Sequence, residues 1–267
     1  MLTFGLLASA LAQSSLLTME NDAGQWVMPN GNYAAWNYSP LDQINAYNVN
    51  QLQVKWTLQL GVTDSLEAEP LVVGNTMYIL TPKPNTLYAL DLSRDGYVKW
   101  AFKPDMPGLK QATACCGAQS RGLAYADGNL IFSTLDGQLF SVNADTGQPN
   151  WKVQTADLSI TETTPGQDLV VDNHVIVGVE GGERGVRGYV AAYDLQTGKL
   201  QWKYYSTGPN ADMGITSDFK PFYPGDKVQN PGTSTWYGDS WKHGGGTVWG
   251  WMSYSPKLDM FYYGTGN

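Results

Sequence analysis

The sequence predicts an all-β propeller built from four-stranded blades, and three observations carry that reading. Trp56, Trp100, Trp151 and Trp202 recur roughly every 50 residues, the spacing of propeller blades rather than of a helical solenoid. The last three close the same phrase: LYALDLSRDGYVKW (87–100), LFSVNADTGQPNW (139–151) and YVAAYDLQTGKLQW (189–202), each an alternating strand, a turn rich in Asp, Thr and Gly, then Trp. Between residues 121 and 151 four short strands follow one another, GLAY, NLIFST, QLFSVN and QPNWKV, separated by the turns ADG, LDG and ADTG.

Taken in order, the first blade opens at PLVV after Glu67, the second at GLAY, the third at DLVV and the fourth at WMSYS. About four blades are therefore expected within one domain spanning residues 13–267. Ahead of it, LTFGLLASALA (2–12) resembles the apolar core of a signal peptide, with Ala10-Leu11-Ala12 as the small-residue pattern of a cleavage site. Export to an oxidising compartment is the expectation, and no stretch is long enough to span a bilayer.

Charge and rare residues narrow the function. The 267 residues carry 16 basic and 24 acidic side chains, net −8, so the footprint of a nucleic-acid binder is missing. His174 and His243 are the two histidines, one in a hairpin and one in a loop, which argues against a His-rich metal site or a Ser-His-Asp triad. Cys115 and Cys116 are the two cysteines and are adjacent. Neighbouring Cα atoms lie about 3.8 Å apart, below the usual disulfide range, and most such pairs are reduced thiols.

In a propeller the innermost strand comes first and the second runs back beside it, so the start of strand one and the end of strand two share a rim. The repeats break their own pattern there. Glu67 precedes the first blade, the cysteine pair and Arg121 the second, TETTP (161–165) the third, and GGGTVWG (244–250) the fourth. After strand two, the third blade carries EGGERGVRG (180–188) with Glu183, and the fourth carries GTGN ending at Asn267. Carboxylate and amide oxygens suit Ca²⁺ or another hard cation. A planar ligand could stack on Trp249 while Arg121 binds its carboxylates or polarises a carbonyl oxygen. The alternative, a non-catalytic propeller scaffold that binds proteins, predicts tight turns and neutral residues at this rim, and the charges here count against it.

The repeat together with ATACCGAQSRGLAY, EGGERGVRGYVAAYD, WYGDSWKHGGGTVWGWMSYSP and FYYGTGN resembles the quinoprotein alcohol dehydrogenases, and the WGW version is most similar to methanol dehydrogenase large subunits. The resemblance runs from about Gln25 to Asn267. It implies an eight-bladed propeller holding pyrroloquinoline quinone (PQQ) near its axis beside Ca²⁺ or a lanthanide. Glu67 and Arg121 would contact PQQ, with Arg121 near the reactive oxygens as the electrostatic catalytic residue. A Cys115–Cys116 disulfide would form one wall of the slot and Trp249 the other, with Thr247 and the Gly181-Gly182 backbone at the cofactor edge. The threonine before the third blade stays open between Thr161 and Thr163. Glu183 and Asn267 would be metal ligands, and Glu180 adds a charge where the family carries a small or neutral residue.

The implied reaction is oxidation of a small primary alcohol to its aldehyde by hydride transfer to PQQ, with electrons passing to a c-type cytochrome in the periplasm. A quinoprotein for larger alcohols or sugars is the rival. The family's catalytic aspartate is expected beyond Asn267, so these residues alone are expected to be a fragment and inactive. Oligomeric state is open between a homodimer and a complex with a small subunit.

Overall fold

The structure, a computed structural model, describes residues 15–218 and 231–266. The leader reading of residues 1–12 and the expected ligand Asn267 lie outside the described residues.

Three four-stranded antiparallel sheets and one hairpin account for the strands. The first sheet is β1 (Leu71–Val73), β2 (Thr76–Leu80), β3 (Leu87–Asp91) and β4 (Tyr97–Phe102). The second is β5 (Ala124–Ala126), β6 (Asn129–Ser133), β7 (Gln138–Asn143) and β8 (Pro149–Gln154). The third is β9 (Leu169–Val171), β10 (His174–Gly178), β11 (Tyr189–Asp194) and β12 (Leu200–Tyr205), and the hairpin is β13 (Met252–Ser255) with β14 (Met260–Tyr263). Strand order within each sheet follows the sequence, as the blade reading requires. The described residues thus hold three complete blades and the first two strands of a fourth, as the sequence reading expects with its fourth blade opening at WMSYS and reaching GTGN after strand two.

Burial explains why the strands read differently in sequence. β7 and β11 are buried on both faces, β11 appearing as an apolar run and β7 carrying the buried polar residues Gln138 and Ser141, whereas β4 alternates between exposed and half-buried positions. All three complete blades carry a register shift at one place, opposite the Trp-bearing strand: Ala89/Leu90, Ser141/Val142 and Ala192/Tyr193.

The repeated Asp/Thr/Gly turn has one physical job. Asn143 Oδ1 accepts from the Asp145 and Thr146 backbone N–H groups and from the Thr146 hydroxyl. Asp194 does the same for Gln196 and Thr197. Each turn ends on a glycine with positive φ, Gly96, Gly147 or Gly198, and the Trp of the preceding blade lies flat on it. A Cβ on Gly147 would stand 2.7 Å from the Trp100 ring, and one on Gly198 would stand 2.6 Å from that of Trp151. The indole N–H groups then donate to the turn backbone, Trp100 to Ala144 O at 3.2 Å and Trp151 to Leu195 O at 3.1 Å. Blade is locked to blade by a tryptophan seated in the next blade's turn.

Trp56 sits on Gly96 in the same way, although residues 52–60 form no strand. At the other end Trp202 stacks on Phe261 of the hairpin, with ring centroids 6.3 Å apart. The buried core fills the spaces between sheets, with Phe132 stacked on Phe140 between the first two blades and Val175, Val177 and Tyr189 in the next layer.

The predicted rim exists. The segments ahead of β5, β9 and β13 and the segment after β10 are joined by backbone bonds: Arg121 N to Pro165 O, Val248 N to Val179 O, and an isolated bridge between Thr163 and Glu180. No helix among the described residues is long and apolar enough to cross a membrane.

Candidate functional site

Arg121 is the charge at the centre of the rim. It is 8 % exposed, its Nε lies 3.0 Å from Glu67 Oε2, and its guanidinium stands 5.1 Å from the centroid of the Trp249 ring. Residues from the first, second and fourth blades thereby meet at one side chain. Gln119, 1 % exposed, completes the support. Its amide, oriented to satisfy both ends, donates to Cys116 O and Gly117 O and accepts from Arg121 Nη2 at 3.2 Å.

Trp249 keeps 37 % of its surface open, and its backbone packs so closely on Gly166 that a Cβ there would be 3.1 Å away. Gly266 closes on the other side, with room for no side chain between it and the Trp249 indole, and its N–H donates to Thr247 O at 2.7 Å. Trp249 is held at its backbone by Gly166 and at its indole by Gly266 while its surface stays partly open.

Arg184 Nε on the turn after β10 is buried without a hydrogen-bond partner, and so are four polar atoms ahead of the second and third blades: Arg121 Nη1 and the hydroxyls of Thr161, Thr163 and Thr164. Each such group ordinarily costs about 1–3 kcal/mol. Gathered beside an arginine and an indole face, they fit a planar ligand with several acceptor oxygens, the chemical description of PQQ. Thr161 adopts φ 65°, and its carbonyl lies 3.0 Å from where a Cβ of Gly181 would stand, so Gly181 (φ 121°) must be glycine. Of the two threonines left open, Thr163 is the fully buried one and pairs with Glu180; both hydroxyls are unpartnered.

The cysteines are free thiols in this structure, so the disulfide expectation is not met here. Their sulfurs are 2.7 Å apart, both side chains turning toward each other across one peptide bond. Hydrogen bonding with the Cys116 sulfur pushes the Cys115 thiol up to about 12, with burial and the charge of Glu180 adding to it. The pair is tied to the third blade, because the Cys115 N–H donates to Glu180 Oε1 at 2.9 Å.

Glu183 lies on the turn after β10, where it pairs with Arg184, which in turn donates to Thr113 O at 2.7 Å. The potential ligand atoms of Cys115, Glu180 and Glu183 lie within 4.8 Å of one another. Gly182 packs against Gly244, whose Cβ would meet the Gly182 carbonyl at 2.5 Å. Glu67, Cys115, Cys116, Arg121, Thr161, Gly181, Gly182, Glu183, Thr247 and Trp249 are thus all on the expected rim.

The sequence profile described as PQQ glucose/ethanol/alcohol dehydrogenase, β-propeller domain, matches residues 26–267. The chain belongs to this family. It is 48 % identical to the lanthanide-dependent methanol dehydrogenase of Methylacidiphilum fumariolicum (strain SolV), over 99 % of this chain and 44 % of that protein. It is 42 % identical to methanol dehydrogenase [cytochrome c] subunit 1 of Paracoccus denitrificans, over 97 % of this chain and 42 % of that protein. Among solved structures, a europium-containing methanol dehydrogenase superposes with a TM-score of 0.88 at 48 % identity, covering 95 % of this chain and 44 % of the other. The chain spans less than half the length of the curated relatives it matches.

Sequence reasoning missed three supports of this quinoprotein rim. Gln119 carries no motif of its own. Asp168 is 1 % exposed, at the head of the third blade's inner strand, and accepts from the Ser133 N–H and hydroxyl at 2.6 and 2.7 Å, tying the second blade to the third. Arg187 lies between Tyr205 and Trp241, pairs with Asp212 and donates to Thr207 O, holding the long excursion that leads to Gly244. A polar residue adjoining an apolar strand was the available signal for Asp168.

Proposed function

We propose that this chain is the cofactor-binding half of a PQQ- and cation-dependent dehydrogenase that oxidises a small primary alcohol to its aldehyde. The observation that carries the reading is the meeting of Glu67, Arg121 and Trp249 beside four unpartnered buried polar atoms. Bound there, PQQ supplies the quinone that accepts hydride, and the cation polarises that quinone.

The side chains of this chain would bind, orient and stabilise. Trp249 would form one face of a flat slot and the Cys115–Cys116 pair the other. Thr247, the Gly181-Gly182 backbone and Thr161 or Thr163 would hydrogen-bond the cofactor edge, and Glu67 would hold Arg121 in register. Arg121 would stabilise negative charge developing on the quinone oxygen, its Nη1 proton being the unpartnered donor. Glu183, released from Arg184, and Asn267 would hold Ca²⁺ or a lanthanide. The base that takes the alcohol proton would be an aspartate from outside these residues.

We assign the protein to the periplasm, with a c-type cytochrome as electron acceptor, consistent with the name of the Paracoccus relative. In that compartment Cys115 and Cys116 would be joined; a mass increase of about 2 Da on reduction of the mature protein is the expected signature. Substrate profiling of the full-length protein, reconstituted with PQQ and either Ca²⁺ or a lanthanide, tests the reaction. Short primary alcohols are expected as the best substrates, and a preference for sugars or long-chain alcohols overturns the substrate assignment.

A further inference from the structure

Glu180 is an acid on this rim to which the family resemblance gives no role, and unlike the buried Glu162, which accepts from Asp157 N–H and the Tyr189 hydroxyl, it has a single hydrogen-bond donor at its carboxylate. It is 2 % exposed, and the bond from the Cys115 N–H at 2.9 Å is a single neutral hydrogen bond. Among the described residues no ion pair includes it; Arg184, four positions on, pairs with Glu183 and donates to Thr113 O. A carboxylate in such a place is unfavourable unless a cation meets it.

A second observation points the same way. Residues paired directly across an antiparallel bridge project their side chains to the same side. Thr163, fully buried with an unpartnered hydroxyl, is bridged to Glu180 and so shares its side. An unpaired carboxylate, an unsatisfied hydroxyl and the Glu183 carboxylate, two of them within 4.8 Å of each other, form an oxygen-rich donor set.

We infer that Glu180 is a second carboxylate ligand of the cation, and that its charge tilts the site toward a trivalent ion over a divalent one. Each added carboxylate attracts a trivalent ion about half again as strongly as a divalent ion at the same distance. Glu183 alone would leave the two classes closer in affinity. The inference rests on the cation-dependent reading of this rim.

The test uses the full-length holoenzyme and Glu180→Gln, which keeps an acceptor for the Cys115 N–H but removes the charge. Terbium luminescence titration and Ca²⁺ competition give the two affinities, and the absorbance of retained PQQ reports cofactor binding separately. The expected result is Tb³⁺ affinity weakened about tenfold or more with Ca²⁺ affinity weakened severalfold less. Tb³⁺ affinity within twofold of wild type, or equal losses for both ions, overturns the proposal. Should Glu180→Gln fail to fold, Glu180→Ser is read against the same two outcomes. Tb³⁺ bound by the wild type without PQQ retention sinks the quinoprotein reading while leaving Glu180 as a ligand.

Discussion

Arg121 is the residue on which the account turns, and its value lies in how it is held. Glu67 takes its Nε, Gln119 takes Nη2, Trp249 lies against the guanidinium, and Nη1 is left to face a ligand. Glu67, Arg121 and Trp249 were legible in the sequence because each interrupts a repeat at the same point. Gln119 was not, since an isolated amide makes no pattern and acts only once the chain folds back on itself. Replacing it by Leu strands Arg121 Nη2 and the carbonyls of Cys116 and Gly117. The expected cost is about 2–3 kcal/mol of stability, read from denaturant midpoints, with a fall in PQQ affinity of roughly tenfold as Arg121 loosens. A Gln119→Leu protein with wild-type midpoint and PQQ affinity would contradict the role.

At the scale of elements, the tryptophan seat explains why the repeat was visible at all. The turn must bury an Asp or Asn oxygen in its own backbone and end on a left-handed glycine, so its sequence is narrowly set. Gly147→Ala meets both obstacles, a positive φ and the Trp100 ring 2.7 Å away, and is expected to cost about 2–4 kcal/mol. Gly128→Ala shares the positive φ but has nothing within 4 Å, so about 1 kcal/mol is expected. Equal costs for the two would show that strain, not the seat, matters.

Asp168 is the other inter-blade link, and burial lifts its carboxyl to about 7 against the lowering pull of the Ser133 hydrogen bonds. A proton bound more tightly by the folded than by the unfolded chain stabilises the fold. That contribution is complete below the unfolded value near 4 and is lost as pH rises through about 7. Thermal midpoints are therefore expected to fall between about pH 5 and pH 8 by more in wild type than in Asp168→Asn, and parallel profiles would refute the link.

For the whole molecule, blade architecture was readable, including the four sheets that the described residues form. Strand order, antiparallel pairing and the shared rim follow from the repeat, whereas segments 206–218 and 235–251, which hold no strand, leave no periodic trace. Trp56 shows the converse. Its seat on Gly96 is filled, so residues 52–60 occupy the place of an outermost strand, yet no described strand pairs with them. The proposed cation site was legible in its chemistry through Glu183, but Glu180 became a candidate ligand only from its burial and its partner across the bridge.

The central claim is that this rim binds PQQ with a hard cation. The most direct measurement is the PQQ content of the full-length protein after incubation with the cofactor and either Ca²⁺ or a lanthanide, followed by desalting. Near-stoichiometric retention with at least one cation, sharply reduced in Arg121→Lys, whose single nitrogen cannot span the positions of Nε beside Glu67 and Nη1 facing the ligand, is the predicted result. No retained PQQ with either cation would contradict it.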